Sequence, residues 1–132
     1  MKKYLLPENG TYYKANLHMH TVVSDGRMTP EETKELFLKN GYSIVAFTDH
    51  DVIAPHHDLT DENFLALTSF ETYFNTELFG VMDYGFVQPY HLNFLAKDPD
   101  NVVCPAFSER YVERAHSLKY VTEEMRKYDY DR

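Results

Sequence analysis

The sequence predicts an α/β domain built on a parallel sheet, and three adjoining observations predict it. Residues 13–19 alternate with a two-residue period, residues 29–41 carry a full set of helix start and stop signals, and 43–48 is a short apolar run. A strand, a capped helix and a strand buried on both faces make a βαβ unit. Its two strands lie parallel because the helix crosses between them.

In the first strand, Ala15, Leu17 and Met19 fall on one side and Asn16, His18 and His20 on the other. Ser24-Asp25-Gly26 then reads as a turn. In the helix, Thr29 suits the N-cap, Pro30 the first position, and Glu32 the third, where it completes a capping box. Thr33, Leu36, Phe37 and Asn40 share one face, and Gly41 is a natural stop. Ser43-Ile44-Val45-Ala46-Phe47-Thr48 reads as a strand covered on both sides. Two further strands are expected at 64–71 and 90–96. The aromatic-rich stretch between them, broken by Gly80, Gly85 and Pro89, reads as an irregular insertion or a loose hairpin. Residues 108–128 lean helical through Tyr111, Ala115, Leu118 and Met125, although their mixed periodicity leaves a single continuous helix open.

A chain of 132 residues makes one domain, long enough to bury a core but short for a full barrel enzyme. With 43% hydrophobic residues it belongs with globular rather than disordered chains. Its formal charge of −8 argues against nucleic acid as a partner, because such binding uses Lys and Arg to displace counterions. An acidic chain with seven His suits divalent cations instead. Cys104 is the only cysteine, which excludes an intrachain disulfide and a Cys-based zinc knuckle. The apolar run after Lys2-Lys3 ends at Pro7, too early for a signal-peptide core, and no stretch approaches a membrane span. The expectation is a soluble cytoplasmic protein with no membrane partner.

The chemistry begins at Asn16-Leu17-His18-Met19-His20-Thr21. Residues i and i+2 of a strand project from one face, so His18 and His20 direct two imidazoles at one point. Alone, His-x-His is as often structural as functional. Asp25 follows in the turn after the same strand, and Thr48-Asp49-His50-Asp51 ends the second strand. Loops at the carboxyl ends of parallel strands converge, so these groups reach one edge. Glu71 closes the third strand with a carboxylate able to bridge two cations, and His91 opens the fourth. Four segments meeting on one rim are far harder to dismiss than one motif.

Taken together, His18-Met19-His20-Thr21, Ser24-Asp25-Gly26 and Thr48-Asp49-His50-Asp51 closely resemble the first motifs of the PHP (polymerase and histidinol phosphatase) family. The resemblance runs over residues 13–96 and is strongest in its first third. It implies a partial or distorted (β/α)7 barrel, here its first three to four β/α units, with metal ligands at the carboxyl ends of the strands. It implies two or three divalent ions (Zn, Mn or Fe) and hydrolysis of a small-molecule phosphate ester by a metal-activated water. His18 and His20 would bind one ion, Glu71 would bridge it to a second also held by His91, and Asp25 and His50 would bind a third. Asp25, His50 and Glu71 would be the catalytic set. Asp49 and Asp51 would stand behind the ligands, orienting them or accepting their N–H groups. An amidohydrolase acting on C–N bonds also opens with His-x-His, but no later metal-bridging Lys is evident. A non-catalytic fragment is the third reading.

Relatives of this type end in an Asp-x-His pair, whereas this chain ends at Tyr128-Asp129-Tyr130-Asp131-Arg132. The resemblance therefore implies a single domain over 1–132 that is incomplete at its C-terminus, with exposed sheet edges prone to self-association. His116 reads as a helix-surface residue and Cys104 as a structural thiol. His56 and His57 either overhang the pocket, with His57 as a substrate contact, or lie in a solvated loop. The aromatics of 70–90 read as core packing and Asp61-Glu62 as solvated surface.

Overall fold

The computed structural model describes residues 9–75, 89–102, 126–127 and 130–131. The expected helical segment at 108–128, with His116, lies almost wholly outside them, as do Cys104 and the glycines of the 76–88 stretch. The described elements form one sheet of five strands in the order β1-β2-β3-β4-β5: β1 Ala15–Met19, β2 Ile44–Phe47, β3 Leu65–Asn75, β4 Pro89–Ala96 and β5 Tyr130–Asp131. A single α-helix, α1 Pro30–Lys39, connects β1 to β2.

Helix α1 forms because both ends are chemically closed. The Thr29 hydroxyl accepts the Glu32 N–H at 3.2 Å, and the Glu32 carboxylate accepts the Thr29 N–H at 2.9 Å. At the other end Gly41 takes φ 77°, Tyr42 donates its N–H to Phe37 and Gly41 to Leu38, which is a Schellman motif. The buried face differs from the expected one. Pro30 and Thr33 are buried, and Phe37 and Leu38 pack on Val45, Phe47, Leu59, Phe64 and Ala66. Leu36 is 42% exposed and Asn40 instead caps the helix, its side chain donating to the Leu36 carbonyl. The turn after α1 aims the chain, so packing rather than spacing chose between Leu36 and Leu38.

Strand β2 is covered on both faces as expected, with Val45, Ala46, Phe47 and Thr48 all buried. It pairs in parallel with β1 and with β3. Beyond that the sheet departs from the expected parallel framework, because β3 pairs antiparallel with β4 and β4 antiparallel with β5. No second α-helix intervenes between β2 and β3, only a 3-10 turn at His57–Leu59 whose Leu59 plugs the core. Among the described residues the βαβ unit is thus a single copy, and the sheet is mixed parallel and antiparallel. Lys34 ties α1 to that turn by donating to the Leu59 carbonyl (2.7 Å) and to the Asp61 carboxylate. Asp61 also accepts the N–H groups of Asn63 and Phe64, so it is a turn-forming residue as well as a surface charge. Phe70 and Phe94 form a second apolar cluster with Ile53, Leu92 and Ala96.

Two features place the rim. The ladder of β1 on β2 shifts register between Asn16 and Met19, which interrupts the simple alternation expected there and leaves Leu17 50% exposed. Irregularities of this kind re-aim side chains beside functional sites. Strand β3 runs on beyond the end of β2, and His50 bridges to Glu71 in the middle of it.

Candidate metal centre

The centre is built around Glu71, whose side chain is 1% exposed. Its Oε2 lies 2.6 Å from His20 Nε2, 3.2 Å from His18 Nε2 and 3.4 Å from His50 Nδ1. Its Oε1 lies 2.7 Å from His91 Nδ1. Asp25 joins from the loop after β1, with Oδ1 2.8 Å from His20 Nδ1 and Oδ2 3.6 Å from His50 Nε2. All six residues proposed from the sequence as ligands therefore come together. They form three overlapping groups able to hold a metal ion: His18, His20 and Glu71; His20, Asp25 and His50; and His50, Glu71 and His91.

The donor set fits a cation on two counts. His18 Nε2 and His20 Nε2 are 3.0 Å apart, and with Glu71 Oε2 they make a triangle with sides of 3.0, 3.2 and 2.6 Å. Ligands at about 2.0–2.1 Å from Zn²⁺ stand roughly 3 Å from one another, so this spacing is that of a coordination edge. The second count is His50 Nδ1, which is buried and makes no hydrogen bond although Glu71 Oε2 is near. A buried polar atom left without a partner costs about 1–3 kcal/mol, and a cation removes that penalty.

His91 reaches the centre by a route the parallel scheme does not offer. It begins β4, and the start of a parallel strand faces the opposite end of the sheet. Because β4 is antiparallel, its first residues lie beside the far end of β3, with His91 opposite Tyr73 and Asn93 opposite Glu71.

The two aspartates behind the rim work on backbone and hydroxyls rather than on imidazole N–H groups. Asp49 is buried; its Oδ1 accepts the Thr21 N–H at 2.8 Å and the Ser24 hydroxyl at 2.7 Å, and its Oδ2 accepts the Thr21 hydroxyl at 2.9 Å. Asp51 takes φ 54°, a left-handed conformation rare outside glycine, donates its N–H to the Glu71 carbonyl and accepts the Thr72 hydroxyl. Gly26 lets the loop fold back: a Cβ there would sit 2.3 Å from the His20 carbonyl oxygen. The hydrogen bond from His20 holds the Asp25 carboxyl below its ordinary range; desolvation opposes it, and the attraction of His20 and His50 and the Ser24 hydroxyl add to the lowering.

His57 stands apart from this group. It is exposed in the 3-10 turn, 3.6 Å from Asp100, and no bond among the described residues joins it to a ligand. Sequence reasoning missed Thr21, Ser24 and Thr72 as partners of the two aspartates. It also missed Asn93, which shares the face of Glu71 and has a buried amide oxygen without a hydrogen bond. The two-residue spacing from His91 was the signal available for Asn93. No helix among the described residues is long and apolar enough to cross a membrane. No protein-family profile matches the chain, and no curated protein is significantly similar to it.

Proposed function

We propose that this chain carries the metal centre of a hydrolase that cleaves a small phosphate ester with an activated water. The observation that supports it is the convergence of four imidazoles on one buried carboxylate. The choice of phosphate ester rests on the likeness of the His18-Met19-His20-Thr21, Ser24-Asp25-Gly26 and Thr48-Asp49-His50-Asp51 segments to PHP proteins. Two or three divalent ions, Zn, Mn or Fe, would there acidify a water and neutralise charge on the phosphoryl oxygens.

The chain's own residues divide the remaining work. Glu71 offers its two oxygens to different imidazoles, the arrangement of a bridging ligand. Asp25 accepts the His20 Nδ1–H, which fixes the ring and strengthens its Nε2 as a donor. Asp25, with a side chain 64% exposed, is the most open of the six residues and the one a substrate would meet first. The Thr21 and Ser24 hydroxyls are already donated to Asp49, so neither is set up as a nucleophile. Asp25, Asp49, Asp51 and Glu71 make the rim acidic, and an anionic substrate approaches it only when cations reverse that field.

Elemental analysis of the purified chain, paired with assays on a phosphomonoester and on an amide, tests the proposal. The expected result is bound metal and phosphate release in the wild type, both lost in Glu71→Ala and in His20→Ala. Amide cleavage without phosphate release would favour an amidohydrolase, and metal without turnover a non-catalytic binding protein. Unchanged metal content in both variants would remove the site altogether.

A further inference from the structure

Resting on the metal-centre reading above, we infer that the cation position between Asp25 and His50 is the loosely held one, and that Asp49 is the positioning residue that sets its occupancy. A neutral imidazole has one nitrogen with a free lone pair. His20 Nε2 faces His18 Nε2 and Glu71 Oε2, at 3.0 and 2.6 Å, so its lone pair serves that position. Its Nδ1 then carries the proton and donates to Asp25 Oδ1 at 2.8 Å. In the group of His20, Asp25 and His50, His20 is therefore not a ligand.

Two protein ligands remain at that position, and each is weakly committed. His50 also turns its other nitrogen toward Glu71. The Asp25 side chain is 64% exposed and sits on a loop, whereas Glu71 is enclosed within a strand. Positions centred on Glu71 are held by the sheet; the Asp25 position is only as ordered as residues 21–26.

Asp49 supplies that order. Its three bonds to Thr21 and Ser24 fix both ends of the segment that leads into Asp25. The Thr21 hydroxyl in turn accepts the Val23 N–H at 3.1 Å, and the Thr21 carbonyl accepts the Gly26 N–H at 2.8 Å. The Asp49 carbonyl receives the Glu71 N–H at 3.2 Å, so one buried residue joins the loop to the strand that carries the bridging carboxylate. Asp49 touches none of the ligand side chains; it acts through the loop.

Calorimetric titration of the metal-free chain with Mn²⁺, supported by EPR counting of bound ion, tests this. Wild type should take up Mn²⁺ in a tighter and a weaker class. Asp49→Ala should weaken the weaker class by about 10–100-fold and leave the tighter class in place. Ser24→Ala removes the hydroxyl's bonds to Asp49 Oδ1 (2.7 Å) and, more weakly, to Asp25 Oδ1 (3.4 Å) at a half-buried loop residue, keeps the fold, and should move the same class in the same direction. Asp49→Asn retains the Oδ1 bonds and should fall between wild type and Asp49→Ala. A single class in the wild type, or both classes weakening together in Ser24→Ala, overturns the inference while the metal centre stands. No Mn²⁺ uptake by the wild type would bring down the metal-centre reading, and this inference with it.

Discussion

His56 packs its ring edge-on against Phe47 at 4.8 Å between centroids, behind the rim, and its Nε2 is buried without a hydrogen bond. Burial pushes its pKa below the ordinary 6.5; Asp58, Asp49 and Glu31 pull the other way, and His57 adds to the lowering. The folded chain thus binds this proton less readily than the unfolded chain does. Its contribution to stability is complete above pH 6.5 and is lost as pH falls through the lower folded value. With a chelator present, the urea midpoint of the wild type should drop between about pH 7 and 5 more steeply than that of His56→Gln. Parallel curves for the two proteins would show that His56 carries none of the effect. Asp25 has the opposite origin: its carboxyl is held below its ordinary range first by the hydrogen bond from His20.

Helix α1 is the element that local chemistry specifies most fully. Thr29→Ala removes one half of the capping box and should cost about 1 kcal/mol, seen as a melting shift of roughly 3–5 °C for a domain of this size. No change in the melt would mean that the helix is held by packing alone. Its N-cap, Pro30, Glu32 and Gly41 were all legible in the sequence because each acts within a few residues of itself. Strand β2 was legible for a similar reason, since its four residues from Ile44 to Phe47 form an unbroken apolar run. The candidate ligands His18, His20, Asp25 and His50 were legible because they lie on β1 or in the short loops after β1 and β2, whereas Glu71 and His91 were assigned as ligands through the resemblance and are brought in by the pairing of β3 with β4. What depended on distant chain was not. The register shift in β1 is set by its fit to β2, and the direction of β4 by how the chain returns from β3. Leu38 replaced Leu36 on the buried face because Leu59 of the 3-10 turn and Phe64, far along the chain, decide which flank of α1 is covered.

At the scale of the whole molecule, Glu71 gathers groups from β1, the loops after β1 and β2, and β4, so an ion bound there would cross-link most of the described sheet. A ligand that binds only the folded chain stabilises it by about 2.7 kcal/mol at a concentration one hundred times its dissociation constant. Adding Zn²⁺ or Mn²⁺ to the metal-free chain should therefore raise Tm in a concentration-dependent way, and a chelator should return it to its starting value. A Tm insensitive to both would mean that the ligands are not joined by an ion in the folded state. A bound cation would also offset the mutual repulsion expected of a chain with a formal charge of −8.

The antiparallel ladder of β3 and β4 also works as a ruler. His91 is 20 residues from Glu71 along the chain, yet its distance from that carboxylate is fixed by paired backbone from Ser69 and Leu95 up to Asn75 and Pro89. Slipping β4 by one residue would turn His91 and Asn93 to the opposite face and break the centre, whereas the ladder itself does not specify the length of chain joining its two strands. Insertions or deletions in that connection are thus uncoupled from the spacing of the ligands. Such a design lets the surroundings of a metal rim be revised over evolutionary time, or in the laboratory, with the ligand geometry left where it was.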